Sequence, residues 1–220
     1  MFVQLEQRRR SRFPWATLLL VAACVACYVW FSLVDPVQRG LWVARWGTVP
    51  ARLLEGRWYS ELLPLLTSLF IHVNWLHVLG NLLFLVIFSV PAERALGPRR
   101  LLFLFLVGGA LANLAGALTL GHTSTPIVGC SGAVSAVVGA YLGLFPRARL
   151  GLVLPLGIYF QFVQVPALVL IGIWVLVQLL FTWVGPSFDA VVWWAHIGGF
   201  VFGLGYAAVA RPALARERRR

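Results

Sequence analysis

Lysine is absent from this chain, and acidic residues are scarce. The 220 residues carry 18 basic side chains, all of them arginine, against 7 acids, and charged residues of both signs amount to only 11%. Soluble domains are about a quarter charged, so a soluble fold is excluded. Cysteine is also sparse. Cys24 and Cys27 lie inside one apolar run and Cys130 stands beside Ser131, which supplies neither an extracellular disulfide framework nor zinc-ligand spacing. The first apolar segment is too long for the h-region of a signal peptide and lacks a small-residue cleavage site, so it is expected to remain as an anchor. There is no inverted repeat and no ladder of ionisable groups through the apolar runs, which argues against a channel or transporter.

What is abundant is apolar. Hydrophobic residues make up 60% of the chain and the mean hydropathy is +0.87, with several stretches long enough to cross a bilayer. The composition is that of a polytopic membrane protein. A net charge of +11 would suit a nucleic-acid binder if it were spread over one surface. Here the arginines fall at the ends of apolar runs, where they act as topology signals; membrane lipid is the expected surrounding, and nucleic acid is not an expected partner.

In chain order, a basic tail (residues 1–13, with Arg8, Arg9, Arg10 and Arg12) precedes a first span from Pro14 to Val34. Residues 35–74 form a long external loop in which Trp42, Trp46, Leu53, Leu54 and Trp58 interleave with Arg45, Arg52 and Arg57, a pattern suited to pieces half-embedded in the headgroup layer. The second span runs from Trp75 to Val90, the third from Leu101 to Leu120, the fourth from Ser131 to Phe145, the fifth from Pro166 to Val184 and the sixth from Val191 to Ala210. Residues 150–164, apolar but short and interrupted by Pro155, Gly157, Gln161 and Gln164, read as a re-entrant or interfacial segment that does not span. Residues 211–220 form a second basic tail. Fourteen of the arginines then fall on one side, and only Arg39, Arg45, Arg52 and Arg57 on the other. That bias predicts an all-α, six-helix membrane bundle over residues 14–210 with both termini cytoplasmic, and the composition points to a bacterial plasma membrane.

With this topology, three polar groups share one depth. The second, fourth and sixth spans all start on the outer side. The second begins with His72, His77 and Asn81, the last two being one helical turn apart on one face; the fourth begins at Gly129-Cys130-Ser131-Gly132; the sixth carries His196. Histidine inside a membrane helix is costly enough to suggest function. Small residues recur every four positions, at Ser131, Ser135, Gly139 and Gly143 on one helix and at Ala195, Gly199, Gly203 and Ala207 on another. Two such smooth faces can meet backbone to backbone, which would bring Ser131 to His196. A serine with an adjacent base suits acyl transfer, and His77, Asn81 and the Ser131 backbone N–H would bind the oxyanion. No acid lies near His196 within the membrane, so a dyad is expected. Asn113, Gln161, Gln164 and Gln178 are read as amides that bind neighbouring helices, and His122 as a solvated loop residue.

The combination His72-x4-His77-x3-Asn81, Gly129-Cys130-Ser131-Gly132 and Ala195-His196-x2-Gly199-x3-Gly203 resembles the rhomboid intramembrane serine proteases. The resemblance implies a six-helix bundle, Ser131 as nucleophile, His196 as general base and acid, and His77 with Asn81 in the oxyanion hole. It also implies that His72 is the family's additional histidine near that hole, and that Glu93 with Gly97 marks the turn after the second span. Transmembrane proteins are the implied substrates, with no metal or cofactor; nothing in the chain specifies an oligomeric state. Where many members carry Trp-Arg in the first loop this chain has Leu63-Pro64, and where many have tyrosine it has Ser135. The competing reading is a silent rhomboid-like binding protein or chaperone of membrane segments; retention of both Ser131 and His196 disfavours it.

Overall fold

A computed structural model describes residues 13–56, 58–156, 159–184 and 193–219. Arg8, Arg9, Arg10, Arg12, Arg57, Arg220 and the loop with Pro186 and Asp189 lie outside the described residues, as do the first two positions assigned to the sixth span. Among the described residues, four helices are long and apolar enough to cross a bilayer: α1 (Trp15–Leu33), α6 (Trp75–Leu96), α7 (Pro98–Leu120) and α10 (Trp193–Arg219). Two shorter apolar helices, α8 (Ser131–Leu144) and α9 (Ala167–Val184), complete an all-α membrane bundle of six.

The centre of the bundle is α8. Every residue from Gly132 to Tyr141 is buried, because α6, α7 and α10 surround it and their backbones approach closely. A Cβ on Gly139 would run into the Phe200 carbonyl, one on Gly199 into the Gly132 carbonyl, and one on Gly203 into the Ala136 carbonyl. Gly143 lies against the Ala207 methyl, and Gly132 against Ala112. Two helices without side chains at their seam gain dispersion contacts along both backbones, the main source of helix association in lipid. In contrast, α9 presents Leu168, Ile173, Leu176 and Leu180 outward. Among its described side chains, only a stripe of Ala167, Ile171 and Gln178 is buried.

Helix ends differ from the sequence expectation in two places. Pro91 does not end α6, which runs on to Leu96 and stops at Gly97, whose φ of +87° no other residue adopts cheaply. The extra turn carries Glu93 back to the start of α1, where its Oε1 accepts from the Ala16 N–H (3.0 Å) and its Oε2 from the Thr17 N–H (2.8 Å) and Thr17 hydroxyl (2.6 Å). These are donors that a helix start leaves without intrahelical partners, and they hold α1 onto α6. At the other end, α10 continues through Pro212 to Arg219, so the basic residues 211 and 216 decorate a helical extension.

The loop from 35 to 74 folds as short helices α2 (Pro36–Trp46), α3 (Pro50–Leu54), α4 (Trp58–Glu61) and α5 (Pro64–Thr67), closed by a 3-10 turn at Ser68–Phe70. Trp42 stacks on Trp46 and meets Trp30 edge-on, with the Arg45 guanidinium 5.2 Å from the Trp46 ring. Polar ties fasten this loop to the bundle. Thr48 Oγ1 donates to the Pro64 carbonyl, Asn113 Nδ2 of α7 donates to the Leu65 carbonyl (3.0 Å) and to Ser68 Oγ (2.9 Å), and the Thr48 and Ile127 backbones pair. Leu53 and Leu65 fill a small core with Ala117 and Ile127 at the C-terminal end of α7. Residues 149–166, where a re-entrant or interfacial piece is expected, pair as antiparallel strands β1 (Arg149–Leu156) and β2 (Tyr159–Pro166), with Arg149 opposite Pro166.

Candidate active site

Gly129, Cys130 and Ser131 turn the chain into α8. The Gly129 N–H donates to the Ser68 carbonyl (2.8 Å), so the same Ser68 that Asn113 holds also fixes this turn. Gly129 has φ +104°, and a Cβ there would lie 2.5 Å from His77 Nε2 and 3.5 Å from Asn81 Nδ2. Glycine is therefore required twice, by its backbone angle and by the approach of α6. That contact brings His77 and Asn81 to the start of α8. Asn81 Nδ2 is buried and has no hydrogen-bond partner among the described residues. An unpaired buried donor is costly, and one at the mouth of a serine turn is free to bind an oxyanion.

From the far end of the chain, α10 brings His196 across the glycine seam. Its Nε2 lies 2.8 Å from Ser131 Oγ, within reach of proton transfer. Its Nδ1 lies 3.2 Å from Gln178 Oε1 on α9. The Trp174 ring leans over the imidazole at 6.3 Å and 32°, and the Trp193 ring meets it edge-on at 6.1 Å. Ser135 does not touch the imidazole by any hydrogen bond; its hydroxyl donates to the Ser131 carbonyl (2.7 Å).

His72 sits behind this group. It is buried, with Nδ1 3.2 Å from the Phe70 carbonyl, Nε2 3.6 Å from Cys130 Sγ, and its ring edge-on to His77 at 5.0 Å. A carbonyl can only accept, so the proton is on Nδ1 and Nε2 accepts from the thiol. Burial, reinforced by the charge of His77, lowers the His72 pKa to about 4, which keeps the ring neutral at physiological pH. The structure thus places Ser131, His196, His77, Asn81 and Gly129 together, with His72 one layer behind. His122 is exposed in its loop.

Ser68 and Trp174, beside the site, were not singled out from sequence, and Gln178 was read there only as an amide that binds a neighbouring helix. For Gln178 a signal existed, since it shares a helical face with Ala167 and Ile171, at spacings of four and seven. Ser68 had none; a serine in a loop acquires meaning only when its backbone and hydroxyl are both seen to be used.

Residues 58–213 match the family description Rhomboid domain. The chain belongs to the rhomboid family. Among its rhomboid relatives, it is 30% identical over 162 residues to presenilin-associated rhomboid-like protein A, mitochondrial, of Danio rerio, covering 72% of this chain and 40% of that protein. It is 32% identical over 177 residues to RHOMBOID-like protein 12, mitochondrial, of Arabidopsis thaliana, covering 73% and 48%. With rhomboid protease GlpG of Salmonella paratyphi A the identity is 28% over 204 residues, covering 91% of this chain and 64% of the protease. The chain thus spans between 40% and 64% of the length of these rhomboid proteins. Its helices and its family make it an integral membrane protein.

Proposed function

We propose that the chain is an intramembrane serine endopeptidase that works through a Ser131–His196 dyad, with the protease unit in residues 14–210. The observation that carries this reading is the 2.8 Å approach of His196 Nε2 to Ser131 Oγ beside an unpaired, buried Asn81 amide. Ser131 Oγ attacks the carbonyl carbon of a peptide bond while its proton passes to His196 Nε2. The carbonyl oxygen becomes an oxyanion held by Asn81 Nδ2, the His77 ring and the Ser131 N–H. As the C–N bond breaks, His196 gives that proton to the leaving nitrogen, and the acyl group remains on Ser131. Water, deprotonated by the same Nε2, then attacks the ester carbon, and as the acyl–Oγ bond breaks His196 returns the proton to Ser131 Oγ.

The substrate class follows from depth. With 14 residues, α8 is about 21 Å long, less than the roughly 30 Å hydrocarbon layer. With its C-terminal end at the cytoplasmic boundary, Ser131 sits inside the outer leaflet, below the membrane surface. The scissile bond is therefore that of a single-span membrane protein near the outer end of its helix. Helical peptide bonds are protected by their own hydrogen bonds, so segments with glycine, proline or other helix-breaking residues at that level are favoured. The arginine bias supports cytoplasmic termini, with basic tails at 1–13 and 211–220; the all-arginine composition is the basis for proposing a bacterial plasma membrane as the location.

The test is labelling of the full chain in liposomes with a fluorophosphonate probe, alongside cleavage of a single-span reporter. Wild type labels at Ser131 and cuts the reporter; Ser131→Ala and His196→Ala do neither. A folded wild type that neither labels nor cuts would instead support a silent, rhomboid-like binding protein.

A further inference from the structure

We propose that Gln178 is a positioning residue that holds His196 in the tautomer able to take the Ser131 proton; the inference rests on the dyad reading above. A neutral imidazole carries one N–H and one lone pair, and only a ring with its proton on Nδ1 offers Nε2 as a base. In this chain no carboxylate stands at Nδ1 among the described residues. The group that does is Gln178 Oε1, at 3.2 Å. Its carbonyl accepts from Nδ1–H, which leaves the Nε2 lone pair facing Ser131 Oγ at 2.8 Å.

The placement is built into α9. Most of this helix faces lipid, yet Gln178 is only 5% exposed, and an amide at membrane depth is retained at a cost unless it is bonded. One turn earlier on the same face, Trp174 lies against the imidazole, so a single stripe of α9 supplies both a wall and an acceptor. Trp193 closes the ring edge-on. Ser135 is small and is engaged with the Ser131 carbonyl, so it leaves the orienting task to α9. The amide has two ends, and they have opposite effects. Were its NH2 turned to the ring, Nδ1 would have to accept and the proton would move to Nε2, where Ser131 could not be deprotonated. In a Ser-His-Asp triad of the chymotrypsin type, changing the acceptor aspartate to asparagine, which holds the wrong tautomer, costs about 10⁴-fold. A neutral amide stabilises the imidazolium less than a carboxylate does, so losing it costs less.

The experiment compares the full-length wild type with Gln178→Met, which keeps length but removes the strong acceptor, and Gln178→Glu, which keeps an acceptor. Three quantities are read: the fluorophosphonate labelling rate at Ser131, the thermal unfolding temperature in detergent, and the 15N ring signals of His196. The last can be assigned because the chain has only 4 histidines. The expected result is labelling slowed about 10- to 100-fold in Gln178→Met, a part of what a positioned base contributes, with labelling restored to within a few-fold in Gln178→Glu. The His196 proton sits on Nδ1 in wild type and is redistributed to Nε2 in Gln178→Met. Labelling of Gln178→Met at the wild-type rate, or equal slowing in both variants, would overturn the inference. So would a wild-type ring protonated on Nε2, a reading that does not depend on any variant folding. Throughout, labelling of wild type but of neither Ser131→Ala nor His196→Ala shows that the dyad itself stands; if wild type fails to label, it is the dyad that has failed.

Discussion

At the scale of single residues, Gly129 carries two constraints at once. Alanine there would occupy a left-handed conformation at a cost of about 1–2 kcal/mol and push into the His77 ring. Gly129→Ala is therefore expected to cut fluorophosphonate labelling at least tenfold; labelling at the wild-type rate would remove Gly129 as a wall of the pocket. Asn81→Ala and His77→Ala should each slow reporter cleavage by about 10²- to 10³-fold, the usual cost of one oxyanion donor, with KM little changed. His72 acts differently, through stability. Its folded pKa of about 4 lies below the ordinary 6.5, so between those values the unfolded chain binds more protons than the folded one. Its contribution is complete above pH 6.5 and is lost as pH falls toward 4, and His77 and Cys130 are the titratable groups against it. The unfolding temperature of wild type should fall over that window by more than that of His72→Gln; parallel curves would refute a buried neutral His72. Ser131, His196, His77 and Asn81 were legible as candidates because polar side chains stand out against apolar helices. Gln178 was not, because it was one of four membrane-level amides, and only packing reveals which face of α9 is turned inward.

At the scale of elements, ends and seams decide more than the apolar runs themselves. Glu93 closes the start of α1 with both carboxylate oxygens. In Glu93→Gln one oxygen becomes an NH2 that cannot accept, leaving buried donors unpaired at a cost of about 1–3 kcal/mol. A clear drop in unfolding temperature is expected, and an unchanged one would show that α1 is held by apolar packing alone. Along the α8–α10 seam, Gly203 meets the Ala136 carbonyl whereas Gly205 of the same helix faces open space. Gly203→Leu should separate the helices and abolish labelling, while Gly205→Ala is tolerated; equal tolerance would mean the seam is not close-packed. The spacing of small residues showed these faces in the sequence. Helix ends were less legible, since Pro91 and Pro212 lie within helices where proline usually marks a boundary. The strands over 149–166 had a signal in Tyr159, Phe160, Phe162, Val163 and Val165, aromatic and β-branched residues that favour extended chain. In a chain otherwise composed of apolar helices, that run was read by its short length and its Pro, Gly and Gln interruptions, not by its β propensity.

At the scale of the whole molecule, everything depends on the number of crossings between Ser131 and His196. Arg149 pairs with Pro166, and the Ala167 N–H donates to the Ala148 carbonyl (2.8 Å), so α8 ends and α9 begins side by side. Two strands alone leave both outer edges unpaired, and in hydrocarbon each unpaired backbone group costs several kcal/mol. We therefore expect this hairpin in the headgroup layer or in water, on the side where α8 ends. Were it to cross, α9 would start outside and α10 inside. His196 would then stand a bilayer, about 30 Å, away from Ser131, and the 2.8 Å approach would be impossible. The same crossing would move Arg211 and Arg216 to the outer face, against the arginine bias on which the expected topology rests. The check is accessibility of single cysteines in a chain with Cys24, Cys27 and Cys130 replaced. Positions beside Arg149, Pro166 and Arg211 should all react from the cytoplasmic side and those beside His122 from the opposite one. Labelling of the Arg149 and Pro166 neighbours from different sides would overturn this topology and, with it, any reaction that requires His196 to take the proton of Ser131.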